Sequence, residues 1–502
     1  MDQGRASCQD TAMNLADVFA DHARSRPDKP ALIDGPRTIT YGTLDPLIRR
    51  TANHLRSLGA GPGVLVGSAL ADNADHMVVI LALARLGAPL LPLDIRWTPV
   101  EKARVTEFFD AKLILREAAD PPIGGAVRDV ALDAAWHKAV AQQNPAGDFP
   151  TDGEMPLLLS LSSGTTGIPK GPMVSHARFM ARFAIQRKSL GFTDDLVYML
   201  ATPAYFGAGR SFALGPLYVG ATLVMFPPPY TPQELAAALN DRKIDVTLLV
   251  PTTLRKLLEI ATPGQYLLPN LKTMFSTGAM LHPAERRAVL KKLTPTYINY
   301  YGSTEGGGLS VLRPTDPPEA DDSVGRTVDG MTVEIVDEND RPVPPGTIGR
   351  IRYAGPPVAT GFYKNPEASA AAFRDGWFYP GDLGKLDTRG YLYITGRVKD
   401  VIIRGGVNIY PEEIEQTLLQ HPGVKDCAVV GWPSRSRGED IAAFIVPKTG
   451  LQPTEEELRA WCRESLAPYK IPRGFFFDDD LPRNAFGKVK KTELAERLTP
   501  VE

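Results

Sequence analysis

From about residue 14 to about residue 300 the chain alternates between two periodicities. Residues 14–24 put Leu15, Val18, Phe19 and Ala23 on one helical face, and residues 44–58 form a second helical run closed by Gly59. Between them, Ala31-Leu32-Ile33 and Arg37-Thr38-Ile39-Thr40-Tyr41 read as a hairpin. The strand Val64-Leu65-Val66-Gly67-Ser68-Ala69-Leu70 leads into a helix from about Ala74 to Leu86. Later come the strand Ala221-Thr222-Leu223-Val224-Met225-Phe226, a helix over 232–241, the strand Val246-Thr247-Leu248-Leu249-Val250 and a helix over 252–260. Such alternation predicts α/β layers with largely parallel sheets. After about residue 320 short strands and turns take over, among them Thr332-Val333-Glu334-Ile335-Val336 and Gly349-Arg350-Ile351-Arg352-Tyr353. They predict a small β-rich subdomain. From Val398 a further αβ unit begins.

A chain of 502 residues exceeds one ordinary core, so two or more domains are expected. Hydrophobic residues at 43% and charged ones at 23% fit a soluble globular protein. The net charge of −2 offers no basic field for nucleic acid or an anionic membrane. Cys8, Cys427 and Cys462 are odd in number, far apart and without metal spacing, which argues against disulfides or zinc and fits a reducing cytoplasm. The start, Met1-Asp2-Gln3-Gly4-Arg5, has no apolar stretch behind it. The most apolar run, 77–93, carries Arg85, Gly87, Pro89 and Pro92 and reads as a buried helix followed by a strand, not a membrane span.

The segment that carries chemistry begins with Leu157-Leu158-Leu159-Ser160-Leu161, a buried strand by its apolarity. It passes directly into Ser162-Ser163-Gly164-Thr165-Thr166-Gly167-Ile168-Pro169-Lys170-Gly171. Glycines let backbone approach an anion closely, hydroxyls and N–H groups donate to its oxygens, and a lysine adds charge at the mouth. This is a phosphate cradle, and it implies a nucleoside triphosphate. It is not a Walker A loop, because Pro169-Lys170-Gly171 lacks the second glycine and final hydroxyl of that pattern. The run resembles instead the signature of the adenylate-forming superfamily: acyl-CoA synthetases, luciferases and peptide-synthetase adenylation domains.

Further blocks carry the same resemblance. Tyr300-Tyr301-Gly302-Ser303-Thr304-Glu305 is similar to the family's Tyr-Gly-x-Thr-Glu block, and Tyr379-Pro380-Gly381-Asp382-Leu383 to Tyr-x-Thr-Gly-Asp, with Pro380 in place of the usual threonine. Gly396-Arg397-Val398-Lys399-Asp400 and Ile403-Arg404-Gly405-Gly406-Val407-Asn408-Ile409-Tyr410-Pro411-Glu412-Glu413 resemble the family's hinge and the segment after it. Leu481-Pro482-Arg483-Asn484-Ala485-Phe486-Gly487-Lys488 resembles the C-terminal lysine motif. The resemblance implies that Ser163, Gly164, Thr165, Thr166, Gly167 and Lys170 hold the phosphates, that Tyr301 stacks on adenine, and that Gly302 beside it belongs to the nucleotide site. Thr304 would donate to the α-phosphate, Glu305 would hold Mg²⁺, and Asp382 would bind the ribose hydroxyls. Arg397 would hold ribose or phosphate, and Lys488 would bridge the substrate carboxylate and α-phosphate. Gly405 and Gly406 would line a pantetheine channel, with Lys399 as the hinge. Proline at the first helical position and acids in the first turn make Pro411-Glu412-Glu413 a helix start, a structural feature with several of its acids solvated.

The fold implied is α/β: residues 1–397 as an AMP-binding domain with its β-rich subdomain, and 398–502 as a small mobile α+β domain. The implied activity is a two-step ligation with ATP, Mg²⁺ and coenzyme A: a carboxylate is adenylated, then a thiol takes the acyl group. Only 14 residues follow Lys488, too few for a carrier domain. The thiol is therefore expected from free coenzyme A, or from a separate carrier protein. Tyr205, Phe206, Arg210, Ser276, Thr277, Gly278, Gly306 and Gly307 are candidates for the acyl pocket. Phe206 stands where many relatives have histidine, and no Phe-Asp pair marks an α-amino-acid binder. Gly306-Gly307-Gly308 suggests a roomy floor for an aromatic or medium-chain acid. Arg210 could meet a second carboxylate, although a structural role suits it better. His176 reads as structural.

Overall fold

The computed structural model describes residues 13–125, 127–161, 170–279, 281–404, 407–483 and 487–502. Among the described residues, two largely parallel sheets build the first part of the chain. The smaller runs Arg128–Leu132, Leu113–Glu117, Val66–Ala69, Leu90–Pro92, Pro156–Leu159, Met173–Ser175, parallel except for its last pair. The larger runs from Arg326–Thr327 through Gly307–Leu312, Tyr297–Ser303, Thr273–Ser276, Val246–Leu248, Val197–Leu200, Thr222–Met225 and Pro30–Asp34 to Arg37–Thr40. Its interior pairs are parallel and both ends are antiparallel.

The helices between them obey local rules. Helix Ala74–Leu86 is capped by Asn73, whose side chain accepts from His76 N at 2.9 Å, and ends at Gly87 in the left-handed region. It is buried all round, which is why its sequence shows no polar face. Helix Tyr41–Ser57 starts three residues before the apolar period suggests. Thr43 Oγ1 accepts from Thr40 N at 3.1 Å, and the fully buried Tyr41 donates to the carbonyls of Ala221 (2.6 Å) and Leu217 (3.2 Å). A long-range hydrogen bond thus fixes that boundary. Helix Pro232–Asp241 falls where predicted, with a Thr231–Glu234 capping box.

The β-rich subdomain is antiparallel throughout: Thr332–Val336, Gly349–Ala354, Asp382–Leu386 and Leu392–Arg397, with two short strands at one end. Its Ile335, Ile351, Tyr353 and Phe378 join the main core. Beyond residue 401 a separate sheet carries two cores. Along Val424–Ser434 and Gly438–Pro447, Cys427, Val429, Ile441, Ala443 and Ile445 face helices Pro411–Leu419 and Glu455–Ser465. Ala428, Val430, Ala442, Phe444 and Val446 face Leu481 and Leu494. The two-residue period of a strand makes both sets continuous, hence the unbroken apolar runs in sequence. Among the described residues no helix is long and apolar enough to cross a membrane.

Candidate active site

Strand Tyr297–Ser303 turns back through Thr304, Glu305 and Gly306 into Gly307–Leu312. Ser303 organises the turn: its Oγ accepts from the N–H groups of Glu305 (3.1 Å) and Gly306 (3.0 Å) and lies 2.6 Å from Tyr353 Oη. From helix His176–Leu190, the buried Arg182 donates to the carbonyls of Thr304 (3.0 Å) and Glu305 (3.5 Å). Burial lowers the Arg182 pKa to about 10, and raises that of Glu305 above the ordinary carboxylate value against the pull of Ser303 and Arg182. The turn therefore presents one half-buried carboxylate on a fixed backbone.

The three glycines after it leave no open floor. A Cβ on Gly306 would meet the Tyr353 ring at 2.3 Å, one on Gly307 would meet Arg182 Cγ at 3.0 Å, and one on Gly308 would meet Tyr300 Oη at 1.7 Å. The glycines exist because these side chains already fill the space, which corrects the expectation of a roomy floor.

The β-rich subdomain supplies the next groups. Asp382 and Arg397 are partners in register on adjacent antiparallel strands, with Arg397 Nε 2.9 Å from Asp382 Oδ1. Arg397 also donates to the Pro380 carbonyl at 2.7 Å. Tyr301 Oη donates to Asp382 Oδ2 at 2.6 Å, so the two sheets meet on this carboxylate. Burial, then the Asp382 charge, pushes the Tyr301 pKa well above the ordinary phenol value, and the phenol remains a donor. Both Asp382 oxygens are thus oriented before any ligand arrives.

Lys488 comes from the C-terminal unit. Its neighbour Gly487 abuts Thr252 of helix Pro251–Ile260. The residue keeps an exposed surface, yet the protein packed about its ammonium, then Arg397, lowers the pKa, while Asp382 and Glu305 oppose the shift. The lysine, the turn carboxylate and the Asp382–Arg397 pair therefore share one electrostatic site. Lys170 is exposed and Lys399 lies in the exposed turn Val398–Asp400. Ser163, Gly164, Thr165, Thr166, Gly167, Gly405 and Gly406 lie outside the described residues.

Of the pocket candidates, Tyr205 and Phe206 form one aromatic unit, centroids 4.5 Å apart, with the Arg96 guanidinium 5.4 and 5.5 Å from the two rings. Asp94 holds Arg96. Ser276 is buried against Tyr297 Oη, Thr277 is buried beside it, and Gly278 is exposed with φ +92°. Arg210 is fully buried. His176 Nδ1 accepts from Leu15 N at 3.0 Å, a structural bond. In helix Pro411–Leu419, Glu413 is exposed and paired with Lys470, whereas Glu412 is not among the solvated acids: it packs against Gly396, and burial raises its pKa to about 7 against the pull of Lys491.

Sequence reading missed Ser303, Arg182, Tyr353 and Arg96. Ser303 lies within the Tyr300–Glu305 block, where a serine two residues before a turn amide is a recognisable signal. Arg182 lies on a buried helix face three residues after Phe179 and four before Gln186, and Tyr353 alternates inward from Ile351. None stands out until the tertiary contacts exist.

Residues 19–363 match the AMP-binding enzyme family, and residues 413–488 match the AMP-binding enzyme C-terminal domain. The chain belongs to the AMP-binding enzymes. It is 30% identical over 481 residues to feruloyl-CoA synthase of an Amycolatopsis species, covering 95% of this chain and 97% of that one. It is 29% identical over 501 residues to the fatty acid–[acyl-carrier-protein] ligase ScoC of Streptomyces coeruleorubidus, with 96% of each covered. The crystal structure of ATP-bound MatB from Rhodopseudomonas palustris superposes with TM-score 0.87 at 29% identity, over 96% of this chain and 98% of that one. This AMP-binding enzyme is an AMP-forming ligase of the acid–thiol type.

Proposed function

We propose that this AMP-binding enzyme activates an aromatic or medium-chain carboxylic acid with ATP and passes the acyl group to coenzyme A. The observation that carries the reading is the convergence of Lys488 with Glu305 and the Tyr301–Asp382–Arg397 cluster. In the first half-reaction the acid's carboxylate oxygen attacks the α-phosphorus and pyrophosphate departs, leaving a mixed anhydride. Asp382, with both oxygens already oriented, accepts from the ribose hydroxyls. Lys488 brings a point charge to the α-phosphate and incoming carboxylate, where negative charge must be crowded together. Glu305, a half-buried carboxylate on a rigid turn, suits a hard cation that arrives on the triphosphate; among the described residues no cluster of three or more acids, histidines or cysteines could hold such an ion alone. Magnesium bound there would neutralise the departing pyrophosphate. Lys170 and the loop before it take the β- and γ-phosphates.

In the second half-reaction the thiol sulfur attacks the anhydride carbonyl and AMP leaves. Residues 398–502 turn about Lys399, withdrawing Lys488 and bringing up Gly405-Gly406. The Tyr205–Phe206 unit bounds the acyl site.

The similarity to an acyl-carrier-protein ligase favours a second reading, in which the thiol belongs to a separate carrier protein. One experiment separates the two. The protein is mixed with MgATP, coenzyme A and a panel of ferulate, benzoate, octanoate, succinate and β-alanine, and products are read by mass spectrometry. An acyl-CoA peak is expected. AMP with acyl-adenylate but no acyl-CoA favours the carrier, and no AMP with any acid refutes the ligase reading.

A further inference from the structure

Between strand Val197–Leu200 and helix Gly207–Val219 runs a short loop that ends in Tyr205 and Phe206. At its centre, both backbone polar groups of Ala204 are held by buried charged side chains from opposite directions. Asp72, in the bend after strand Val66–Ala69 of the smaller sheet, accepts from Ala204 N at 3.0 Å. Arg210, on the helix after the loop, donates through Nη1 to Ala204 O at 2.9 Å and Tyr205 O at 3.4 Å. Gly209 lets the loop lie on the helix, since a Cβ there would meet Pro203 O at 2.1 Å. The other arm of the same guanidinium reaches elsewhere: Arg210 Nη2 lies 3.4 Å from Ser160 Oγ. Ser160 comes directly after strand Pro156–Leu159 and stands two residues before the start of the phosphate loop.

The arrangement is costly as mere packing. Arg210 is 1% exposed, forms no ion pair among the described residues, and leaves its buried Nε without a hydrogen-bond partner. Burial and the Arg182 charge lower its pKa to about 9, with only Asp72 opposing. A buried charge held by carbonyls and one hydroxyl is dear to keep unless it fixes something. What it fixes is one planar fork with an arm on the segment carrying the aromatic unit and an arm at the root of the phosphate loop. A leucine in its place would fill the volume and lose both ties.

Resting on the function proposed above, we infer that Arg210, with Asp72 as counterpart, is a positioning residue that couples the acid site to the nucleotide site. Displacement of the Tyr205–Phe206 segment by an acid moves the guanidinium, and the guanidinium moves the serine at the root of the phosphate loop. Acid and ATP then bind with synergy.

The test uses the full chain and α,β-methylene ATP, which cannot be cleaved at the reacting bond. Its Kd is measured by calorimetry with and without whichever panel acid supports the fastest ATP–pyrophosphate exchange. In the unmodified enzyme the acid is expected to tighten the analogue about fivefold or more. R210M is expected to lose that tightening. So is S160A, which removes only a hydroxyl and keeps the fold intact if R210M does not; R210K, with one donor arm, retains part of it. Exchange in the unmodified enzyme with no synergy, or synergy kept within about twofold in both R210M and S160A, overturns the inference and leaves the ligase reading standing. No exchange with any acid overturns the ligase reading and takes the inference with it.

Discussion

Replacing Tyr301 by phenylalanine removes one atom and isolates what the two sheets achieve by meeting on Asp382. The hydroxyl donates to Asp382 Oδ2 at 2.6 Å, while Arg397 Nε stays 2.9 Å from Oδ1. A hydrogen bond to a charged group contributes about 1.5–3 kcal/mol. Because the Arg397 contact survives and keeps the carboxylate roughly in place, the lower end applies, about 1.5 kcal/mol, or about tenfold in affinity. In the proposed function the carboxylate meets ribose, not the acid, so Y301F is expected to raise KM for ATP about tenfold with KM for the acid unchanged. Pyrophosphate-exchange kinetics give both constants. A cycle with D382N decides whether Tyr301 works through Asp382: in the D382N background, Y301F should then cost little more. Independent, additive losses in the double variant would refute the reasoning, as would an intact KM for ATP in Y301F.

K488A is expected to abolish AMP formation from acid and ATP, by about a hundredfold or more, while binding of the methylene analogue persists and thioester formation from pre-made acyl-adenylate continues; radiolabelled AMP release measures the first and calorimetry the second. His176, held near pKa 4 by burial, has a depressed folded-state value. The unfolded chain binds its proton below about pH 6.5, so stability falls as pH drops from there to about 4, by about 3 kcal/mol in all. H176Q, whose amide oxygen can still accept from Leu15 N, should flatten that slope in urea titrations at about pH 6.5 and about pH 4.5. G308A forces a methyl into Tyr300 Oη and should destabilise the protein by about 1–3 kcal/mol, read as a lowered melting temperature.

How much of this was legible in the sequence depends on how local each signal is. Helix Pro232–Asp241 carries its own capping box and Ala74–Leu86 its own asparagine and glycine caps, so both could be placed from residues in hand. The start of helix Tyr41–Ser57 could not, because it depends on carbonyls near residue 220. The same division holds at the site. Asp382, Arg397 and Lys488 stand in short distinctive blocks. That Tyr301 grips Asp382 across two sheets, or that Arg182 braces the Thr304–Glu305 turn, depends on pairs far apart in the chain. The glycine run misled for a related reason: sequence shows that a Cβ is missing, not whether Tyr353, Arg182 and Tyr300 occupy its place. Glu412 reads as one more solvated acid of a helix start, and only the fold turns it towards Gly396.

The way the C-terminal unit meets the rest bears on whether it could turn at all. Arg255 of helix Pro251–Ile260 faces Asp426, but each charge already has a partner of its own: Arg255 binds Glu285 at 2.5 and 3.1 Å, and Asp426 binds Arg483 within the C-terminal unit. Across the same contact His282 senses Glu415, which is paired with Lys491 at 2.8 Å. Separating these surfaces would leave neither side with a bare buried charge, so it avoids the penalty incurred when one member of a buried ion pair is removed. The exposed turn Val398–Asp400 carries the chain between them. Lys488 thus lies beside Asp382 and Glu305 on a unit whose Asp426 and Glu415 are already paired within it, as the proposed withdrawal between half-reactions would require.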